Sequence, residues 1–151
     1  MKLVIQRVKN AKVDVEGKTI GSINEGLMVL IGAKKGDTEK DVDYCVEKMI
    51  NLRIFRDEND KMNLSVLDIK GELLLISQFT LLGDTSHGRR PSFFEADEPE
   101  HANMLYEYYI KKSKESGLKV EQGEFGADMA VSLLNSGPVT IIIDSENNKN
   151  K

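Results

Sequence analysis

Ala11-Lys12-Val13-Asp14-Val15-Glu16-Gly17-Lys18-Thr19-Ile20-Gly21-Ser22-Ile23-Asn24-Glu25-Gly26-Leu27-Met28-Val29-Leu30-Ile31 is the stretch whose reading decides the fold. Val13 and Val15 alternate with Lys12, Asp14 and Glu16, the period of a half-buried strand. Glu16-Gly17-Lys18 reads as a turn, and Thr19 to Ile23 as the antiparallel return. Asn24-Glu25-Gly26 is a second turn. Leu27 to Ile31 is then continuously apolar, as in a strand covered on both faces. Working outward, Met1 to Val8 is apolar without clean alternation, so the inward face of Val4, Ile5 and Val8 stays open.

Beyond Ile31, Asp37 or Thr38 is placed to cap a helix by accepting from its first free N–H groups. Val42, Cys45, Val46, Met49 and Ile50 recur at three- and four-residue steps and make one apolar stripe. Asp57-Glu58-Asn59-Asp60 is a polar turn. Glu72 to Phe79, entered through Gly71, is a second buried strand. Residues 83–97 are irregular and carry Gly, Pro and a basic pair, the character of a functional or mobile loop. Asp97 with Glu100 resembles a capping box. Ala102, Leu105, Tyr106 and Tyr109 form the stripe of a second helix, which Gly117 ends. Strands follow at Leu118–Phe125, Ala130–Leu134 and Val139–Ile143. The turn Asn135-Ser136-Gly137-Pro138 separates the last two. This order predicts an α+β fold with a mostly antiparallel sheet and two main helices, one domain over 1–144 and a polar tail over 145–151.

With 151 residues and 40% apolar content the chain can bury one core. Its net charge of -4 excludes a protein that coats nucleic acid along its length, although a few local cations can still hold one RNA end. The single cysteine forbids an internal disulfide and fits a cytoplasmic setting. No segment reads as a signal peptide or membrane span. One cysteine and two separated histidines argue against a His/Cys zinc site, and neither a metal nor another cofactor is expected.

Conventional catalytic machinery is sparse. Ser77 and Thr80 are candidate nucleophiles at a strand end, with His87 a few residues on as a base, but no nucleophile elbow surrounds Ser77. Structural hydroxyls explain them more simply, and His87 and His101 read as surface residues. Gly137-Pro138 reads first as a plain turn, yet an X-Pro bond is the one that adopts cis cheaply. Arg89 and Arg90 offer planar donor forks that suit phosphate.

Ser77-Gln78-Phe79-Thr80-Leu81 and Asn135-Ser136-Gly137-Pro138-Val139-Thr140 resemble the two signatures of D-aminoacyl-tRNA deacylases. Met1 to Val8 with Arg7, Gly88-Arg89-Arg90-Pro91-Ser92-Phe93 and Ala127-Asp128-Met129 are also similar to that family, so the likeness runs from Met1 to about Asp144. The resemblance implies a barrel-like sheet, a homodimer, and hydrolysis of the ester that joins a D-amino acid or glycine to the tRNA 3′ end. It implies catalytic roles around Ser77, Gln78, Phe79 and Thr80, and substrate roles for Gly137, Pro138, Arg7, Met129 and Asn135. It further implies a cis Gly137-Pro138 bond that reaches the other subunit's site, steadied by Arg7. Arg89 and Arg90 are the candidates for RNA contact.

An enzyme that accepts many D side chains cannot refuse L-residues by reading side chains. Rigid carbonyls in the space an L side chain would fill refuse them by bulk, and glycine passes. Chemistry assisted by the ribose 2′-OH, with main-chain donors near Gln78 and Phe79 holding the oxyanion, needs no triad. A non-catalytic RNA-end binder, a simple esterase using Ser77 or Thr80, and a plain dimerisation module are the competing readings.

Overall fold

The computed structural model describes residues 1–148. Its organising element is β1 (Lys2–Val15), a strand of 14 residues. β2 (Lys18–Ile23) and β3 (Gly26–Gly32) both return antiparallel to it, β3 along Lys2–Val8 and β2 along Ala11–Val15. A separate small hairpin holds β4 (Phe55–Arg56) and β5 (Met62–Leu64). β6 (Glu72–Ser77) lies parallel to β3, and β7 (Val120–Gln122) parallel to β6. β8 (Ala130–Asp144) pairs antiparallel with the other edge of β1.

The sheet is therefore mixed, which corrects the expectation of a mostly antiparallel one. The reason lies in the connections. α1 (Glu39–Asn51) carries the chain from β3 towards β6, and α2 (Pro99–Lys114) carries it from β6 to β7. A long crossover through a helix brings a strand back in the same direction, whereas a tight turn reverses it. The sheet curls until β2 meets β7, so that a Cβ built on Gly21 would stand 3.1 Å from the Gln122 carbonyl oxygen. The result is a nearly closed, barrel-like form.

The continuous apolar runs of β3 and β6 are explained by two cores. Leu27, Val29, Leu73 and Leu75 face the helices and pack with Val42, Cys45, Met49, Leu105 and Tyr109. Met28, Leu74 and Ile76 face the barrel interior and pack with Val8, Ala11, Val13 and Ile23. Each such side chain, fully buried, contributes about 1.5–3 kcal/mol. Cys45 is buried in the helix-side core, where burial pushes its thiol up to about 12.

Local signals held unevenly. Thr38 caps α1 in a reciprocal capping box with Asp41. Asp37 is engaged elsewhere, buried 2.8 Å from the Met1 ammonium and accepting from the Lys34 N–H. The capping box expected at Asp97 does not form. Glu98 is the cap residue of α2 and makes no side-chain bond there, while Asp97 accepts from the Glu98 N–H and pairs with His101. Gly117 does end the helical region, at φ 85° with its N–H donating to Lys114. β7 is shorter than the strand expected over Leu118–Phe125, and β6 stops at Ser77 rather than Phe79.

The last two expected strands are one. β8 runs straight through Asn135-Ser136-Gly137-Pro138, correcting the reading of a hairpin turn there. Gln6 pairs with Thr140 but Val8 pairs with Asn135, so residues 136–139 bulge out of the ladder. The polar tail also begins later than residue 145. Ser145 is buried, accepts from the Met1 ammonium at 2.7 Å and donates to Asp41 at 2.7 Å. The end of the expected tail, residues 149–151, lies outside the described residues.

At Gly26 the β3–β6 contact leaves no room for a side chain, since a Cβ would fall 1.8 Å from the Glu72 carbonyl oxygen. Gly26→Ala is expected to lower the unfolding free energy by more than ~3 kcal/mol, because backbone rather than a flexible side chain must move. A urea unfolding midpoint equal to wild type would refute that strand contact.

Candidate active site

β6 ends the barrel wall at Ser77, opposite Ile31 of β3, and the Gln78 N–H donates to the Ile31 carbonyl at 2.7 Å. The chain then turns through a short 3-10 segment, Phe79–Leu82, whose first turn has no side-chain cap. The Gln78 N–H is thus occupied. The N–H groups of Phe79 and Thr80, which start the turn, have no intrahelical acceptor.

A cavity of about 460 Å³ opens at this point, with Ser77, Gln78 and Phe79 on one wall. Ile31 and Ala33 of the β3 end, Tyr106 of α2 and Met129 before β8 complete it. Tyr106 donates to the Leu75 carbonyl at 2.6 Å, and burial pushes its phenol up to about 12. It is therefore a fixed, neutral wall at neutral pH. Phe79 is 57% exposed at the rim, with its ring edge-on to Phe93 at 5.2 Å. Met129 packs by its sulfur against Gly123, where a Cβ would fall 2.6 Å from Sδ.

Thr80 does not join this wall. It is exposed, and its hydroxyl accepts from the Gln78 side chain at 2.5 Å. Among the described residues no histidine lines the cavity. His87 is exposed on the 83–92 loop, and His101 is paired with Asp97. The geometry therefore gives neither Ser77 nor Thr80 a histidine partner among the described residues. It offers instead an apolar-walled slot, a set of main-chain N–H groups, and Asp97 on the wall. The described residues hold no His/Cys/Asp/Glu cluster suited to a metal ion.

The other signature sits elsewhere. Arg7 is buried at 5% exposure, at the point where β8 bulges. Its Nε donates to the Ser136 carbonyl at 3.1 Å and its Nη1 to the Ile54 carbonyl at 2.6 Å. Asn135 closes the bulge from below, accepting from the Val139 N–H at 3.1 Å and donating to Thr140 at 3.2 Å. The Gly137–Pro138 peptide bond is cis, and both residues are exposed. Gly137 has φ 121°, and a Cβ there would meet Arg7 Nη2 at 2.7 Å, so two independent constraints demand glycine. Arg7, Asn135 and Gly137 line a second depression that shares no residue with the first. Val131 lines the first cavity, and six residues of extended strand to Gly137 span about 20 Å.

Arg89 and Arg90 lie at the exposed tip of the loop that the Asp84–Ser92 backbone pair closes. Sequence reasoning missed Tyr106 and Ala33 as site residues. Tyr106 looked like one more position of a helix stripe, and only the hydroxyl's need for a partner hinted at more.

The slot, the uncapped turn and the braced bulge are where the two signatures of the sequence sit in the fold. The family described as D-Tyr-tRNA(Tyr) deacylase matches residues 4–144, and the chain belongs to that family of hydrolases. A relative from Thermosipho africanus (strain TCF52B), named D-aminoacyl-tRNA deacylase, is 61% identical over 146 residues, 97% of this chain and 98% of its own. One of the same name from Aquifex aeolicus (strain VF5) is 61% identical over 145 residues, 96% and 98% of the two chains. The solved structure of a "c-Myc DNA Unwinding Element Binding Protein" superposes with TM-score 0.90 at 39% identity, covering 95% of this chain and 98% of that one. A "probable eukaryotic D-amino acid tRNA deacylase" shares the fold at TM-score 0.82 and 15% identity, covering 94% and 97%. Among the described residues no helix is long and apolar enough to cross a membrane.

Because Arg7 holds two carbonyls from separate segments, Arg7→Met is expected to cost about 2–4 kcal/mol in a thermal or urea unfolding curve. A loss below ~0.5 kcal/mol, the scale of a neutral surface change, would show that the bulge is braced by something else.

Proposed function

We propose that this protein hydrolyses the 3′-terminal ester of D-aminoacyl-tRNA and glycyl-tRNA in the cytoplasm, and spares L-aminoacyl-tRNA. The observation that carries the reading is the separation of the two signatures. The slot at Ser77–Phe79 and the bulge at Gly137–Pro138 stand about 20 Å apart along β8. An exposed, doubly braced bulge that cannot reach its own slot makes sense as a part lent to another copy. The working unit is then a homodimer, with each Gly137–Pro138 set against its partner's slot.

In that arrangement the bulge's carbonyls grip the substrate's α-ammonium and occupy the volume of an L side chain. A D side chain points away from them, and glycine has none to be refused. Water adds to the ester carbonyl, positioned by the ribose 2′-OH, which accepts the water's proton as it passes its own to the 3′ oxygen. The tetrahedral oxyanion is held by the N–H groups of Phe79 and Thr80, and collapse expels the ribose 3′ oxygen, which leaves protonated. Preorganised donors of this kind supply about 3–4 kcal/mol each in acyl transfer. The Phe79 ring stacks on the terminal base, and Arg89 and Arg90 meet phosphates further along the RNA.

Incubation with D-Tyr-tRNA and L-Tyr-tRNA should free D-tyrosine far faster than L-tyrosine. Thr80→Ala should keep single-turnover hydrolysis within about tenfold of wild type, since its main-chain N–H survives the change. Loss to background in that variant would mean that the Thr80 hydroxyl attacks. Sedimentation at assay concentration should give twice the chain mass, and a monomer there would overturn the shared site. Arg89→Ala with Arg90→Ala should flatten the salt dependence of tRNA binding by about 0.7 in log–log slope for each phosphate no longer met.

A further inference from the structure

Three phenylalanines stand at the surface beside the slot. Phe79 is 57% exposed, Phe93 37% and Phe94 74%. Phe79 and Phe93 hold each other edge-on. Among the described residues the Phe94 ring has only the ammonium of Lys35, which lies 3.9 Å over its centroid. A ring that bare buries little of the ~150–250 Å² it offers, so folding alone gives no reason for it.

Its placement is fixed. The Asp97 N–H donates to the Ala33 carbonyl and the Lys35 N–H to the Glu95 carbonyl, so residues 93–97 run beside 33–35 as an outward extension of the slot's rim. Ala33 and Asp97 line the slot itself. Lys34 bridges to Ala96 across that rim, and Lys35 opens the exposed turn that follows. Glu95 and Glu146 are held by Lys34, and no carboxylate lies within ion-pair distance of Lys35 among the described residues. The surface therefore pairs an aromatic face with a cation that has no ion pair among the described residues, and Arg89 and Arg90 on the adjoining loop add the same sign. Flat faces flanked by cations fit unpaired bases on a phosphate backbone.

We infer that Phe94 with Lys35 is a stacking platform for the unpaired nucleotide just 5′ of the terminal one. This rests on the proposed tRNA substrate and extends it from the reacting end to the strand behind it. The platform makes the enzyme favour a polynucleotide over a lone aminoacyl-nucleoside without reading sequence strongly.

The test compares two probes by fluorescence anisotropy and competition: a short single-stranded RNA with the tRNA 3′ end sequence, uncharged, and adenosine alone. Phe94→Ala should weaken the RNA about 5- to 100-fold and leave adenosine unchanged, with Phe94→Tyr restoring the RNA. Unchanged adenosine binding also reports an intact slot. On D-aminoacyl-tRNA the same variant should raise KM and leave kcat, while D-aminoacyl-adenosine is hydrolysed as by wild type. Equal weakening of both probes, no weakening of either, or a wild-type protein that binds RNA no better than adenosine would each overturn the platform. So would a changed sedimentation coefficient with RNA binding intact, since the ring would then belong to a contact between copies. Ring-dependent RNA binding by a protein that hydrolyses no D-ester would leave the platform standing and remove the proposed reaction instead.

Discussion

Everything in this molecule hangs on the hydrogen-bonding capacity of one strand. β1 is paired along both edges: β8 follows nearly its whole length on one side, while β3 and β2 divide the other. A strand has only two edges, so three partners can share it only if two of them divide one edge between them. That division falls between Val8 and Ala11, close to where the alternation of β1 breaks and β8 bulges. The bulge is the place where two unequal strands are reconciled. Arg7 is buried there because the displaced carbonyl of Ser136 and that of Ile54 need a donor with two arms.

The same economy of position explains the slot. Parallel pairing of β3 and β6 brings Ile31 and Ser77 level, and α2, which follows β6, supplies Tyr106 against the end of that pair. In open sheets the ends of parallel strands, where the chain turns off into other elements, are where ligands settle. Here the 3-10 turn after Ser77 and the loop before β8 fill that place at a barrel's rim.

Elements with a local cause were legible in the sequence. The turn at Glu16–Gly17, the two-faced run of β3, the Thr38 cap and the stripe of α1 all follow from neighbours within one or two turns. What depended on distant partners was not. Leu3 and Ile5 turn to the helix-side core and Val8 to the barrel interior, a switch decided by elements far along the chain. Asp37 looked like a cap but is claimed by the Met1 ammonium, and Asp97 by His101. Asn135–Pro138 carries every local mark of a hairpin, yet β1 holds both flanks in one strand. The site split in the same way: Ser77, Gln78, Phe79 and Met129 do meet in one slot, whereas Thr80 turns outward and Arg7, Asn135 and Gly137 gather elsewhere.

The lone thiol has a practical side. Cys45 sits in the helix-side core, where burial pushes its ionisation up to about 12, so the thiolate is scarce at neutral pH. Alkylating reagents and mild oxidants act on the thiolate and need access, and here they find neither. A cysteine introduced anywhere on the surface would thus be the sole reactive handle of the folded chain. Dyes, spin labels or crosslinkers could be placed one at a time without first removing a native residue.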